Sequence, residues 1–488
     1  MTSSKYTTKV HEPWTEIVTK KRAIRDAQID KHSKADTNST FDRISSETVD
    51  VEVLTSLLRD GKVSAVKVIH AYIRREVEIT VTKFFMLTVS LEPAKRRNRY
   101  SLPTNCLTEI CFDDALEQAR KLDGFQEEHG QLIGPLHGVP VTVKDQFNIT
   151  GLDSTLGYIG KAFAPAENDA LLIQTLKKLG AVIIAKTNLP QSIMSGRLSY
   201  RGVEVTLEGQ QHIPSAVGPM ARTLNSLKLV TKLAIEAEPW TMDPQLPPLP
   251  WRENLFQNFV TRRLVIGSML DDGMIKVHPP VERVFRNLVA KLEAAGHEVI
   301  EWDSSLNSSI IDIMDGYYAA DGGEDIRRAV AAGGEPFIPQ IEAFVNRGKP
   351  ISAFEYWQLN KRKVATQQAY HDMWDSKRST SGRSVDVLLV PTMPHTAVPH
   401  GSCRWTGYTK IFNFLDYTAL AFPAGNASKD GDDRYFWDHI PRNETDAWNQ
   451  QLYDPVAMDG RCVGLQIIGR RFEEEKVLGA AQQIHTLL

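Results

Sequence analysis

Three adjoining stretches, GVPVTVKD at 138–145, ENDALLIQTLKKLG at 167–180 and AVIIAKTN at 181–188, decide the fold. In the first, Val139, Val141 and Val143 alternate with Pro140 and Thr142, the two-residue period of a strand. The second offers Ala170, Ile173, Leu176 and Leu179 to a core, and Gly180 closes it as a helix stop. The third is an apolar strand. Strand, helix, strand at these lengths is a βαβ unit, which implies a parallel pair.

The pattern recurs. RRLVIGSM (262–269) reads as a strand, PPVERVFRNLVAKLEAAG (279–296) as a helix with Pro280 in its first turn and Gly296 beyond its end, and HEVIEW (297–302) as a strand. DVLLVPT (386–392) and CVGLQIIG (462–469) are two more buried-type strands, and FEEEKVLGAAQQIHTLL (472–488) is a terminal helix. Upstream, VDVEVLTSLLRDGK (49–62) and SAVKVIHAYIRRE (64–76) are helical, the second with Ser64 placed to cap it. FDDALEQARKLDGF (112–125) is a third helix, expected to end near Gly124. The fold class is α/β. Residues 1–50 are polar and read as an arm with little core of its own, and residues 51–488 as one α/β domain.

The bulk numbers narrow the function classes. A chain of 488 residues, 42% hydrophobic and 24% charged, has ordinary globular composition. A net charge of −3 argues against a nucleic-acid partner, which calls for clustered excess basic charge. Cys106, Cys111, Cys403 and Cys462 are few and irregularly spaced, so neither a disulfide framework nor a zinc site is indicated, and the reducing cytoplasm is the default location. The N-terminus lacks the apolar stretch of a signal peptide, and no run reaches the roughly 18 apolar residues of a spanning helix, so no membrane partner is expected.

One segment sits badly. From Val77 to Thr104 a β-prone apolar run leads into a basic cluster, Lys95, Arg96, Arg97 and Arg99, without clear turn chemistry. An inserted loop explains it better than a lipid or nucleic-acid patch, because one basic cluster in a near-neutral chain is weak evidence.

Familiar catalytic signatures are missing: no G-x-G-x-x-G, P-loop, H-E-x-x-H or G-x-S-x-G occurs. A Ser-x-x-Lys at Ser64 and Lys67 is explained by a capping serine and a solvated lysine. Lys144 is different. It ends the first strand of the βαβ unit and shares a face with Thr142, opposite the valines. A lysine there is either an edge salt-bridge partner, for instance of Asp145, or an amine kept neutral by burial and able to act as a general base. On the strand alone the salt bridge is the better reading.

The block GPLHGVPVTVKDQFNITGLDSTLGY (134–158), followed by ENDALLIQTLKKLGAVIIAKTNLPQ (167–191), closely resembles the amidase signature family, in particular its fungal general amidases. DVLLVPTMP (386–394) and GLQIIGRRFEEEKVLGAAQQI (464–484) look like that family's C-terminal strand and final helix. The resemblance spans most of residues 50–488. It implies a large, mixed, mostly buried β-sheet flanked by helices on both faces. It further implies hydrolysis of a small-molecule carboxamide to a carboxylic acid and ammonia, with no metal or organic cofactor and with a homodimer left open. The family's lysine in the G-V-P-x-x-V-K-D stretch is the base of a Ser–cis-Ser–Lys triad, and it matches Lys144. That lysine deprotonates a serine, through a second serine held on a cis peptide, for attack on the amide carbonyl.

The chain then departs from the family. Relatives continue past TNLPQ into a Gly/Ser-rich segment with the cis-serine, and later a G-G-S element with the nucleophile and oxyanion-hole N–H groups. Here AKTNLPQSIM (185–194) runs directly into SGRLSYRGVEVTLEG (195–209), and no Gly-Gly-Ser or Ser-Ser-Gly-Gly occurs anywhere. The expected deletion junction is at 194–196. Ser192, Ser195 and Ser199 lie near it, but nothing around them offers preorganised N–H donors for an oxyanion. With the insert at about 77–104, the junction suggests an altered transcript or gene model. Two readings stand: an amidase-class hydrolase whose active site is truncated, and a non-catalytic amidase-like remnant.

Overall fold

The computed structural model describes residues 13–33, 50–81, 106–188, 199, 201–213, 217–432 and 439–488. In chain order its helices are α1 (Trp14–Ser33), α2 (Val51–Arg59), α3 (Ala65–Val81), α4 (Phe112–His129), α5 (Leu171–Lys178), α6 (Leu224–Glu236), α7 (Glu253–Thr261), α8 (Pro279–Ala294), α9 (Asn307–Tyr318), α10 (Glu324–Gly333), α11 (Pro339–Val345), α12 (Ala353–Ser376), α13 (Gly407–Leu415), α14 (Glu444–Gln451) and α15 (Glu474–His485). Its strands are β1 (Leu107–Ile110), β2 (Pro140–Lys144), β3 (Val182–Thr187), β4 (Val265–Ser268), β5 (Glu298–Glu301), β6 (Val387–Pro391), β7 (Thr418–Asn426) and β8 (Cys462–Gly469).

Where the sequence suggests one domain over 51–488, the chain divides into two compact units. The first comprises Met1–Glu208, Ser215–Pro250 and Glu324–Ala343; the second comprises Gly209–Pro214, Trp251–Gly323 and Phe344–Leu488. Each unit has its own mixed sheet. In the first unit the order is β1-β3-β2, with β2 parallel and β1 antiparallel to β3. In the second it is β5-β4-β6-β8-β7, with β4 parallel to β5 and β6, and β8 antiparallel to β6 and β7. Both βαβ units read from the sequence are therefore present, and the class is α/β.

The first unit is built around β3. Val182, Ile183, Ile184 and Ala185 are all buried, joined by Phe112, Ala115 and Ala119 of α4 and by Val68 and Ile69 of α3. A strand buried on both faces reads as a continuous apolar run, which is why AVIIAKTN is so legible. Two helix ends differ from the sequence reading. α4 runs through Gly124 to His129 and stops at Gly130, which is left-handed with φ 65°. Its apolar stripe of Ala115, Leu116, Ala119 and Leu122 keeps the helix going despite the modest cost of a glycine. α3 continues to Val81, so the first residues of the stretch read as an apolar β-prone insert are helical; residues 82–105, with the basic cluster, lie outside the described residues.

The start of α3 is capped from elsewhere. Asp123 of α4 takes the Ala65 and Val66 N–H groups on its two oxygens at 2.6 and 3.0 Å, while Ser64 Oγ takes only the Lys67 N–H at 3.3 Å. Helix N–H groups at a first turn lack intrahelical partners, and a carboxylate there also meets the positive end of the helix dipole. Asp123→Ala should therefore cost about 1–2 kcal/mol in urea unfolding, more than Ser64→Ala.

Within the arm, α1 buries only Ile29, yet it is tied down by charge. Lys21 Nζ bridges Glu109 on β1 at 2.5 Å and Asp153 at 2.8 Å. α10 packs on the turn Ile159–Lys161, where Gly160 and Gly333 approach too closely for any Cβ. Glu335 accepts the Ile159 N–H at 3.1 Å, and burial pushes its carboxyl up to about 7, against the opposing pull of that bond. The folded protein holds this proton more tightly than the unfolded chain. Stability is therefore lost as pH rises from about 4.5 through about 7. Glu335→Gln, which keeps the acceptor, should raise Tm at pH 8 and leave it unchanged near pH 4; a pH-independent difference would contradict this assignment.

In the second unit, α7 and α15 pack on each other, and Trp374, Tyr370 and Trp302 form a buried aromatic cluster beside β6. The four cysteines are free thiols. Among the described residues no helix is long and apolar enough to cross a membrane.

Candidate active site

β2 is the edge strand of the first sheet, and Lys144 is its last residue. The parallel register places Lys144 beside Thr187 and Val143 beside Lys186, after an irregularity between Val141 and Thr142. Such bulges re-aim side chains and recur beside active sites. Strand alternation then sends Lys144 and Lys186 to opposite faces.

The two lysines are treated very differently. Lys144 is half-buried on the face where Thr142 is exposed, and burial pulls its ammonium below the usual lysine range. Among the described residues its Nζ makes no hydrogen bond and no ion pair. The edge salt bridge to Asp145 is not formed. Asp145 is buried on the other face, where it accepts from Thr108 Oγ1 and Thr155 Oγ1 at 3.2 Å and from the Leu156 N–H at 2.8 Å. Lys144 is thus a half-buried amine whose neighbouring carboxylate is already committed, and its desolvation disfavours the charged form.

Lys186 is not among the sequence-derived site residues, although it interrupts an apolar strand just as Lys144 does. It is fully buried, and its Nζ donates to the Asp153 carbonyl at 2.5 Å and to Ser154 Oγ at 2.8 Å. Ser154 Oγ in turn donates to the Phe147 carbonyl at 3.2 Å. Burial lowers the pKa of Lys186, while the charges of Asp145, Glu109 and Asp153 oppose that shift. This network fixes the loop that follows Lys144. Leu156, buried with φ 54°, is held in a left-handed conformation that a leucine adopts only under constraint, and the Asp145 bond supplies part of that constraint.

Of the serines near the junction only Ser199 is among the described residues; Ser192 and Ser195 lie outside them. Ser199 is buried and engaged: its Oγ donates to Asp243 Oδ2 at 2.5 Å and accepts the Arg201 N–H at 3.2 Å. Residues just beyond it fold back onto the segment after Lys144, where Asn148 N–H bonds to the Gly202 carbonyl and Glu204 N–H to the Gln146 carbonyl, both at 2.9 Å. Among the described residues no His, Cys, Asp and Glu cluster could hold a metal ion.

A family model described as Amidase matches residues 91–196 and 194–478, two segments that meet at 194–196. The chain belongs to the amidase family. It is 65% identical to "Amidase 2" of Gibberella moniliformis over 542 aligned positions, which cover 98% of both chains. It is 31% identical to the "Acetamidase" of Emericella nidulans over 470 positions, covering 82% of this chain and 86% of that one. Among solved structures, "Fatty acid amide hydrolase" superimposes with a TM-score of 0.82 at 23% identity, covering 99% of this chain and 91% of the other. An alignment of 542 positions to a chain of 488 residues includes positions of the relative that have no counterpart in this chain. The first matched segment begins at residue 91, so residues 91–104 of the stretch read as an insert fall within the family match.

Proposed function

We propose that this amidase scaffold serves the hydrolysis of small carboxamides to carboxylic acid and ammonia, with Lys144 as the base of a Ser–cis-Ser–Lys site, and that the present chain lacks both serines and does not complete the reaction. In the complete site the neutral amine takes a proton from the bridging serine, which takes one from the nucleophile as its oxygen attacks the carbonyl carbon. The proton passes back to the amide nitrogen as the C–N bond breaks, ammonia leaves, and water hydrolyses the resulting ester to the carboxylic acid and the free serine. The half-buried, unpartnered amine of Lys144 supports its role as base. The observation that carries the truncation is the meeting of the two family matches at 194–196, together with an alignment longer than the chain. The activated-nucleophile arrangement needs a hydroxyl within hydrogen-bond reach of its base, and Ser199 is already committed to Asp243.

Intact-mass measurement after exposure to a fluorophosphonate should show no adduct on the folded chain. A stoichiometric adduct that disappears in Lys144→Ala would overturn the truncation and point to Ser192 or Ser195. Sequencing of cDNA across 194–196 bears on its origin: a transcript carrying the extra segment is the expected finding if the junction is a gene-model artefact.

A further inference from the structure

We infer that the second unit holds a separate binding site for a small organic carboxylate with an apolar body, in the groove between α9 and the first turns of α12. The groove has a volume of about 430 Å³, within the range of small-ligand sites. Its floor is apolar: Gly316 and Ala319 from the end of α9, Ile351, and Leu359 of α12. Gly316 keeps the floor open, since a Cβ there would lie 3.2 Å from a Leu359 methyl, a tight contact. All four floor residues are only partly covered, so apolar surface stands open to water.

The charges around this floor are unequal. Lys349 and Arg362 stand exposed on its rim, and neither makes an ion pair among the described residues. The acidic groups are engaged by other residues, although Glu355 itself lines the groove. Glu355 closes the α12 capping box, its Oε2 accepting from both the N–H and the hydroxyl of Ser352 at 2.7 Å. Asp315 pairs with Lys410 at 2.5 Å and with Arg347 at 3.8 Å. Two uncommitted cations above an apolar floor select an anion with a hydrocarbon part: the guanidinium can take a carboxylate on two N–H groups, and the floor takes the chain or ring. A neutral analogue gains only the second contribution.

Isothermal titration of the full chain with octanoate below its micelle concentration should give saturable one-to-one binding. Octan-1-ol should bind at least about tenfold more weakly, and so should octanoate to the Lys349→Glu, Arg362→Glu double variant, whose substitutions are on the surface. Leu359→Phe, which fills the floor, should weaken octanoate while leaving the melting curve cooperative. Equal binding of octanoate and octan-1-ol, undiminished binding to the double variant, or no saturable heat up to millimolar ligand would each overturn the assignment.

Discussion

Inserting at residues 194–196 the Gly/Ser-rich segment that the proposed reading takes to be missing should raise ammonia release from simple carboxamides by at least about 10³-fold over the present chain. The expectation rests on the unequal survival of the site's parts. On the proposed reading, the strand β2 that carries the base, its register on β3 and the network behind it are in place, whereas the nucleophile, its serine relay and the oxyanion donors belong to the segment proposed to be missing. Groups that act as one unit lose nearly everything when one is removed, so restoring the set recovers far more than any single substitution could. The gain should vanish again in Lys144→Ala made in the restored chain. A restored chain that folds, melts cooperatively and stays inactive would show that the damage extends beyond the junction.

Lys186→Met should destabilise the protein by about 3–5 kcal/mol in urea unfolding. Methionine fills the same volume but donates nothing. The Asp153 carbonyl and Ser154 hydroxyl then lose bonds of 2.5 and 2.8 Å inside the fold. The buried carboxylate of Asp145 loses the nearby positive charge that favours its burial. The surroundings cannot compensate, since Lys186 is fully buried and water has no access. Lys144→Met, by contrast, removes a half-buried amine without hydrogen-bond partners among the described residues and should change stability by less than about 1 kcal/mol. A similar cost for both lysines would refute the division of labour between the two faces of the sheet.

Much of this was readable from the chain because its strands are buried and its helices amphipathic. β3, β6 and β8 announce themselves as apolar runs, and α8 by Pro280 within its first turn and a left-handed Gly296 just past its end. β7 was not legible. It is an edge strand with Ala419, Ala421 and Pro423 exposed, so its residues follow neither a buried run nor a clean alternation of apolar and polar. β1 has four residues, too few to show a period. In the candidate site, Lys144 was legible as a charge closing a β-branched run. The reach of Asp145 to Thr155 and Leu156, and of Lys186 to Asp153 and Ser154, depends on how the loop 145–156 folds back. Such closures between residues 10 to 33 positions apart leave no periodic signature. The capping of α3 by Asp123 is another example: a sequence reading finds the nearest candidate, Ser64, while the fold supplies a better acceptor from the neighbouring helix.

Steady-state ammonia release tests most directly whether Lys144 is a catalytic base without its nucleophile. The full chain and Lys144→Ala, both shown to be folded, would be assayed side by side on acetamide and benzamide. The two should be indistinguishable and at background. Turnover by the parent chain that is lost in Lys144→Ala would contradict this.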